Sequence, residues 1–236
     1  VTREQQRIAL PQLAEPIKAL YIDVQSNWLF VLNGRSHMDV FNLRQRTLNG
    51  RYELLQDAST EVTASTQLLG GISLLFGDSK GGISQWFMAR DPDDEQRFKH
   101  IREFQLGDAP ITQIAAEERR KGFLALNSAG ELGVFHSTAQ RTLLIEQVAK
   151  ATDIFALSPR ANRVLVEDGN QLLPFKLDNP HPEISWSSLW SKVWYESYAE
   201  PQYIWQSTAA TADFEPKMSL APLTFGTLQA AFYALL

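Results

Sequence analysis

Residues 122–137 read GFLALNSAGELGVFHS, and this stretch, Gly122–Ser137, decides the fold. Phe123-Leu124-Ala125-Leu126 is a short apolar run and Leu132-Gly133-Val134-Phe135 is its return. Between them, Asn127-Ser128-Ala129-Gly130 supplies residues that tolerate the positive φ of a tight hairpin. Runs this short, apolar at consecutive positions and closed by turn residues, predict strands buried on both faces.

The same grammar recurs three times. Trp28–Leu32 turns through Asn33-Gly34 into Met38-Asp39-Val40-Phe41. Ile72–Phe76 turns through Gly77–Gly82 into Ile83-Ser84-Gln85-Trp86-Phe87. Arg163–Val166 turns through Glu167-Asp168-Gly169-Asn170 into Leu172-Leu173-Pro174-Phe175. The Phe closing each unit sets the period: 41 to 87 is 46, 87 to 135 is 48, and 135 to 175 is 40. Four strands repeated at such a spacing predict blades of a propeller, each closing Phe or Trp filling the wedge between neighbours.

Inner strands are expected at Ala19–Val24, Glu61–Thr66, Ile111–Ala115 and Thr152–Leu157. Outer strands are expected at Arg51–Leu55, His100–Leu106 and Leu143–Val148, with a weak one near Glu183–Trp186. Thr2–Ala14 reads as a lead-in that offers one more outer strand. The units resemble WD40-like blades, although none carries the full Gly-His…Trp-Asp signature. The expected fold is therefore all-β: a WD40-like β-propeller with four recognisable blades over 1–185, the low end for a closed ring. A generic β-sandwich is the alternative. Pro174 cannot donate to a ladder, so it belongs at an edge or a bulge.

Beyond the repeats the composition changes. Four of the six Trp fall in 186–205. Trp186, Trp190 and Trp194 are spaced i, i+4, i+8, which predicts a helix over about Ser187–Ser197 within a connector of 186–217. These three are candidate membrane-interface residues, since indole is apolar at one end and polar at the other; alternatively the face packs on the last blade. From Met218 to Leu236 no residue is charged. That run predicts the start of a transmembrane helix over 218–236, with a buried C-terminal helix as the alternative. Val1 is not an initiator Met, and with the apolar end this predicts a fragment of a longer protein.

The closing residues carry a resemblance. Glu215-Pro216-Lys217-Met218-Ser219-Leu220, Pro222-Leu223, Phe225-Gly226-Thr227-Leu228 and Phe232-Tyr233-Ala234, with Trp194-Tyr195-Glu196 and Tyr203-Ile204-Trp205 upstream, resemble a phosphate-type ABC transporter permease. Where that family commonly has Lys after Gly-Thr-Leu, this chain has Gln229. The resemblance covers roughly the last fifty residues and places them where such a permease re-enters the membrane after an extracytoplasmic insertion. It implies a periplasmic docking or regulatory domain on the bacterial inner membrane. It also implies partners: a second permease subunit, an ATPase subunit and a periplasmic phosphate-binding protein. A stand-alone WD40-like scaffold for protein interaction is the second reading; an enzyme working in the central channel is a third, without a motif behind it.

Composition and motifs narrow the chemistry. The net charge is −5 with both signs interspersed, which argues against a nucleic-acid surface. With no Cys, disulfides, thiolate metal sites and Cys nucleophiles are excluded. His37, His100, His136 and His181 are isolated and read as solvated or hydrogen-bonded. Gly77–Gly82 lacks the GxxxxGK[ST] order of a phosphate loop and reads as a hairpin turn. Asp91, Asp93, Asp94 and Glu95 lack EF-hand spacing and read as a solvated loop. Arg119-Arg120-Lys121, after Glu117-Glu118, reads as a turn tip able to meet an acidic partner or lipid headgroups. There is no GxSxG. No catalytic, cofactor-binding or metal-binding residue is assigned, and no cofactor is expected.

Overall fold

The computed structural model describes residues 15–150, 152–206 and 215–235. The expected lead-in strand at Thr2–Ala14 lies outside them. The chain divides into two compact units, Val1–Glu61 and Val62–Leu236.

The first unit carries one four-stranded antiparallel meander, β1 (Ile17–Ile22), β2 (Trp28–Asn33), β3 (His37–Asn42) and β4 (Thr47–Glu53). Phe30, Val31, Leu32, Met38, Val40 and Phe41 are buried on its central strands. Asp39 is buried among them and is compensated on both sides: Asn33 Nδ2 donates to it at 3.0 Å and Arg51 Nε lies 3.0 Å away.

The second unit repeats that sheet. Its first meander is β5 (Val62–Gln67), β6 (Ser73–Asp78), β7 (Gly82–Arg90) and β8 (Gln96–Gln105). The next is β9 (Ile111–Ala116), β10 (Gly122–Asn127), β11 (Glu131–His136) and β12 (Arg141–Gln147). A three-stranded sheet follows: β13 (Phe155–Leu157), β14 (Arg163–Asp168) and β15 (Gln171–Lys176). The expected fourth strand near Glu183–Trp186 does not form; those residues lead into α1 (Trp186–Trp190). The first strands β5, β9 and β13 lie side by side, so the sheets are stacked around one direction.

The period of two decides what each strand buries. Along β10, Phe123 and Ala125 enter the core shared with the preceding sheet, while Leu124 and Leu126 enter the core shared with the following one. In the first core Phe104, Phe123 and Phe135 form an aromatic wedge with ring centroids 5.0–5.6 Å apart. Close approach is needed there: a Cβ on Gly77 would lie 2.6 Å from the Ile111 side chain of the next sheet. Pro174, on β15 at the edge of its sheet, pairs with Leu165 on β14, the kind of position its missing N–H demands.

The connector is mostly irregular. α1 has five residues, starts at Ser185 with a capping box to Ser188, and ends at Trp190. The helix expected over Ser187–Ser197 is thus cut short. Val193 instead pairs with Gln202 as an antiparallel bridge. β16 (Trp205–Gln206) pairs with β17 (Lys217–Met218), and α2 (Ala221–Ala234) follows with Pro222 in its first turn. None of its residues is buried. No helix among the described residues is long and apolar enough to cross a membrane.

Candidate functional site

In an antiparallel meander the first and third turns share one edge of the sheet and the second turn lies at the other. In the second unit the connector docks on the edge carrying the first and third turns. Its anchor is Trp194-Tyr195-Glu196. Glu196 is 4% exposed; its Oε1 accepts from Ser73 Oγ at 2.6 Å and its Oε2 meets Lys121 Nζ at 2.5 Å. Lys121 is 1% exposed and donates also to the Leu69 carbonyl at 2.5 Å. Gln85 Nε2 holds Ser73 Oγ from behind at 2.9 Å. Burial is the largest influence on Glu196 and pushes its carboxyl up; Lys121 pulls it down and Glu215 adds to the rise.

The second anchor is Glu215-Pro216-Lys217. Glu215 accepts from Thr138 Oγ1 in the β11–β12 turn and, at 3.0 Å, from the Glu196 backbone N–H. Lys217 is buried; its ammonium lies 5.5 Å from the Tyr195 ring centre and 5.9 Å from that of Tyr198. Burial, reinforced by Glu215, pushes the Tyr195 phenol up to about 12. Arg102, on β8, completes the group by donating to the Ser137 carbonyl at 2.6 Å and to the Trp194 carbonyl. Burial lowers its pKa against the opposing pull of Glu215 and Glu196. Ser219 N–H then bonds the Ile204 carbonyl and Leu220 N–H the Leu189 carbonyl, fixing where α2 begins. A crevice of about 230 Å³ runs beneath the connector, lined among others by Arg102, Thr138, Gln140, Ser188, Lys192 and Trp194.

The sequence-derived sites separate accordingly. Trp186 and Trp190 are exposed, their rings 6.2 Å apart. Trp194 does not share their face: it meets Phe87 edge-on at 6.2 Å and donates through Nε1 to the Tyr198 carbonyl at 2.8 Å. Lys121, read as part of an exposed turn tip, is fully buried, and Glu215 and Lys217 are equally so. Of the buried charges only Glu196 carried a sequence signal, a charge set within the aromatic Trp194-Tyr195-Glu196 that demands a buried partner; Lys121, Glu215 and Lys217 carried none.

Gly77–Gly82 is a hairpin turn in which Asp78 Oδ1 accepts from the N–H groups of Lys80 and Gly82 at 2.7 and 3.0 Å. The Asp91–Glu95 loop is closed on itself, with Arg97 Nε 2.7 Å from Asp91 and Arg90 2.5 Å from Asp94. His37 lies between Glu15 and Glu53, and His100 packs on Trp86 at 5.2 Å. His136 is buried, and its Nδ1 accepts from the Ala139 N–H at 3.3 Å. Burial, then the charges of Arg120, Arg102 and Arg141, lower its pKa to about 3. Among the described residues no group of three or more His, Asp or Glu is placed to hold a metal.

Comparison with known proteins addresses the fold. No family model matches the chain, and no curated protein does. Many solved structures resemble it; one is the β-propeller domain of Cps50 (Swd1) from Myceliophteria thermophila, at 12% identity and a TM-score of 0.57. The match covers 72% of this chain, which spans only 58% of that domain. The fold is all-β and WD40-like propeller in type, with a short helical C-terminal segment.

Proposed function

We propose that this chain is a docking module of WD40-like blades carried by a membrane transporter: the extracytoplasmic domain of the permease subunit of a phosphate-importing ABC system. The observation that carries the reading is α2. It has no charged residue, and Leu223, Phe225, Leu228, Phe232 and Tyr233, with Leu235 at its C-cap, are all exposed. A free apolar surface of that kind in water is a liability, and in lipid it is a match. Fourteen residues rise about 21 Å, so α2 supplies the part of a span that leaves the blades. The permease-like residues support the same reading, because Trp194-Tyr195-Glu196 and Glu215-Pro216-Lys217 are the ones that bind this helix to the sheets. Trp186 and Trp190, exposed on the connector, then lie at the lipid–water boundary on the periplasmic side of a bacterial inner membrane. The blades act on proteins, the phosphate-binding protein and the other transporter subunits, and not as a catalyst.

Flotation with phosphatidylcholine vesicles tests the membrane part. The chain is expected to rise with the vesicles, and Leu228→Asp/Phe232→Asp to stay below, each Asp costing about 3 kcal/mol inside lipid. Titration with the cognate phosphate-binding protein tests the docking part; no association with or without phosphate would sink it. The propeller-type fold favours a second reading, a stand-alone interaction scaffold. A chain that captures a soluble protein yet ignores vesicles would establish that reading instead.

A further inference from the structure

The turn edge that receives the connector also carries a basic cleft. Arg119 and Arg120 stand in the β9–β10 turn and Arg160 in the β13–β14 turn of the neighbouring sheet. Together they line a cleft of about 300 Å³, and among the described residues no carboxylate lines it. Glu117, buried in the same turn, is engaged by Arg120 Nε at 3.0 Å. Arg120 also donates to the Asn179 carbonyl at 3.1 Å, and the Asn179 side-chain nitrogen is buried without a partner. Arg119 and Arg160 are exposed. The surroundings are electropositive enough for Arg120, Arg102 and Arg141 each to oppose protonation of His136. Two loops thus converge three guanidinium forks on one space, a geometry suited to phosphate oxygens.

Position supplies the source of that phosphate. The connector grips this same edge, through Leu69 and Lys121 in first turns and Thr138 in a third turn, and α2 starts four residues after the buried Lys217. If α2 enters lipid, as proposed above, the edge it leaves from faces the membrane surface. We infer that the Arg119–Arg120–Arg160 cleft takes the phosphate of an anionic lipid headgroup and so sets the tilt of the blades against the bilayer.

The test compares vesicles of phosphatidylcholine alone with vesicles of phosphatidylcholine and phosphatidylglycerol in equal parts. Arg119→Gln/Arg160→Gln removes two exposed charges and leaves the Arg120 contacts in place. Lys80→Gln/Lys150→Gln removes two exposed charges from the opposite edge. Phosphatidylglycerol is expected to tighten binding of the parent chain, with the gain shrinking as salt rises. The arginine pair should weaken binding to the anionic vesicles about 30-fold, and the lysine pair less than about 3-fold. Equal losses in both pairs, or no gain from phosphatidylglycerol, would overturn the inference while binding to neutral vesicles keeps the α2 reading intact. Failure of the parent chain on neutral vesicles overturns the α2 reading instead. Soluble glycerol phosphate at constant ionic strength should compete for the cleft and remove the gain; a gain left unchanged would mean that diffuse surface charge and not the cleft reads the phosphate, and would overturn the inference.

Discussion

Two interfaces of the second unit do the same task with opposite chemistry. Between the sheets, Phe104, Phe123 and Phe135 pack with Leu75, Ile83 and Ile111, without a charge in the cluster. Between sheets and connector, Lys121, Glu196, Glu215, Arg102 and Lys217 are buried together. Each buried Phe stabilises by roughly 1.5–3 kcal/mol, and edge-on aromatic pairs add about 1. A buried ion pair contributes little net, because desolvation offsets the attraction, yet breaking it is costly. The wedge therefore supplies stability that tolerates approximate shapes. The ionic clasp supplies position: Glu196 meets Ser73 with one carboxylate oxygen and Lys121 with the other.

The comparison breaks most visibly at the wedge. Phe123→Ala is expected to cost about 4 kcal/mol in urea unfolding, and Phe123→Ala/Phe135→Ala more than either change alone. A cost below about 1 kcal/mol would mean the sheets are held some other way. The clasp should respond differently. Lys121→Met is expected to cost about 3 kcal/mol at pH 7, since it leaves a buried carboxylate without its cation. Adding Glu196→Gln should recover at least half of that, and lowering the pH should shrink the cost of Lys121→Met alone as Glu196 takes a proton. Simple additivity of the two changes would refute the coupling.

The finest discrimination comes from His136, between the two interfaces in sequence and buried beside the cationic side. Its folded pKa is about 3 against 6.5 unfolded, so the unfolded chain binds the proton first. Stability from this residue is complete above pH 6.5 and is lost as pH falls toward 3. From pH 7 to 5 the loss is about 2 kcal/mol. His136→Asn keeps an acceptor for the Ala139 N–H and has no proton to gain. The difference in unfolding midpoint between parent and variant should therefore widen in the parent's disfavour on acidification; parallel pH profiles would contradict it.

What could be read from the chain divides along the same line. The sheet cores were legible because their signals are local: Asn127 to Gly130 closes a hairpin and Phe135 marks its return. Pro174 was legible for the same reason. The fourth sheet fell short because Pro180 and Pro182 interrupt the stretch where an outer strand was expected. The Trp spacing misled, since Val193 finds a strand partner in Gln202 and Trp194 turns to Phe87. The clasp was hidden by distance along the chain: Lys121 and Glu196 are 75 positions apart, and Ser73 and Glu196 are 123. One sequence carries no trace of which distant charge will meet which.

The edge position of Pro174 reaches beyond the single chain. Among the described residues no strand covers the outer side of β15, so its backbone is a template for a neighbouring molecule's strand. A residue without an amide hydrogen in the middle of that template interrupts the ladder such an intruder would need. Polymerisation through this flank is thereby discouraged, even where many copies crowd together.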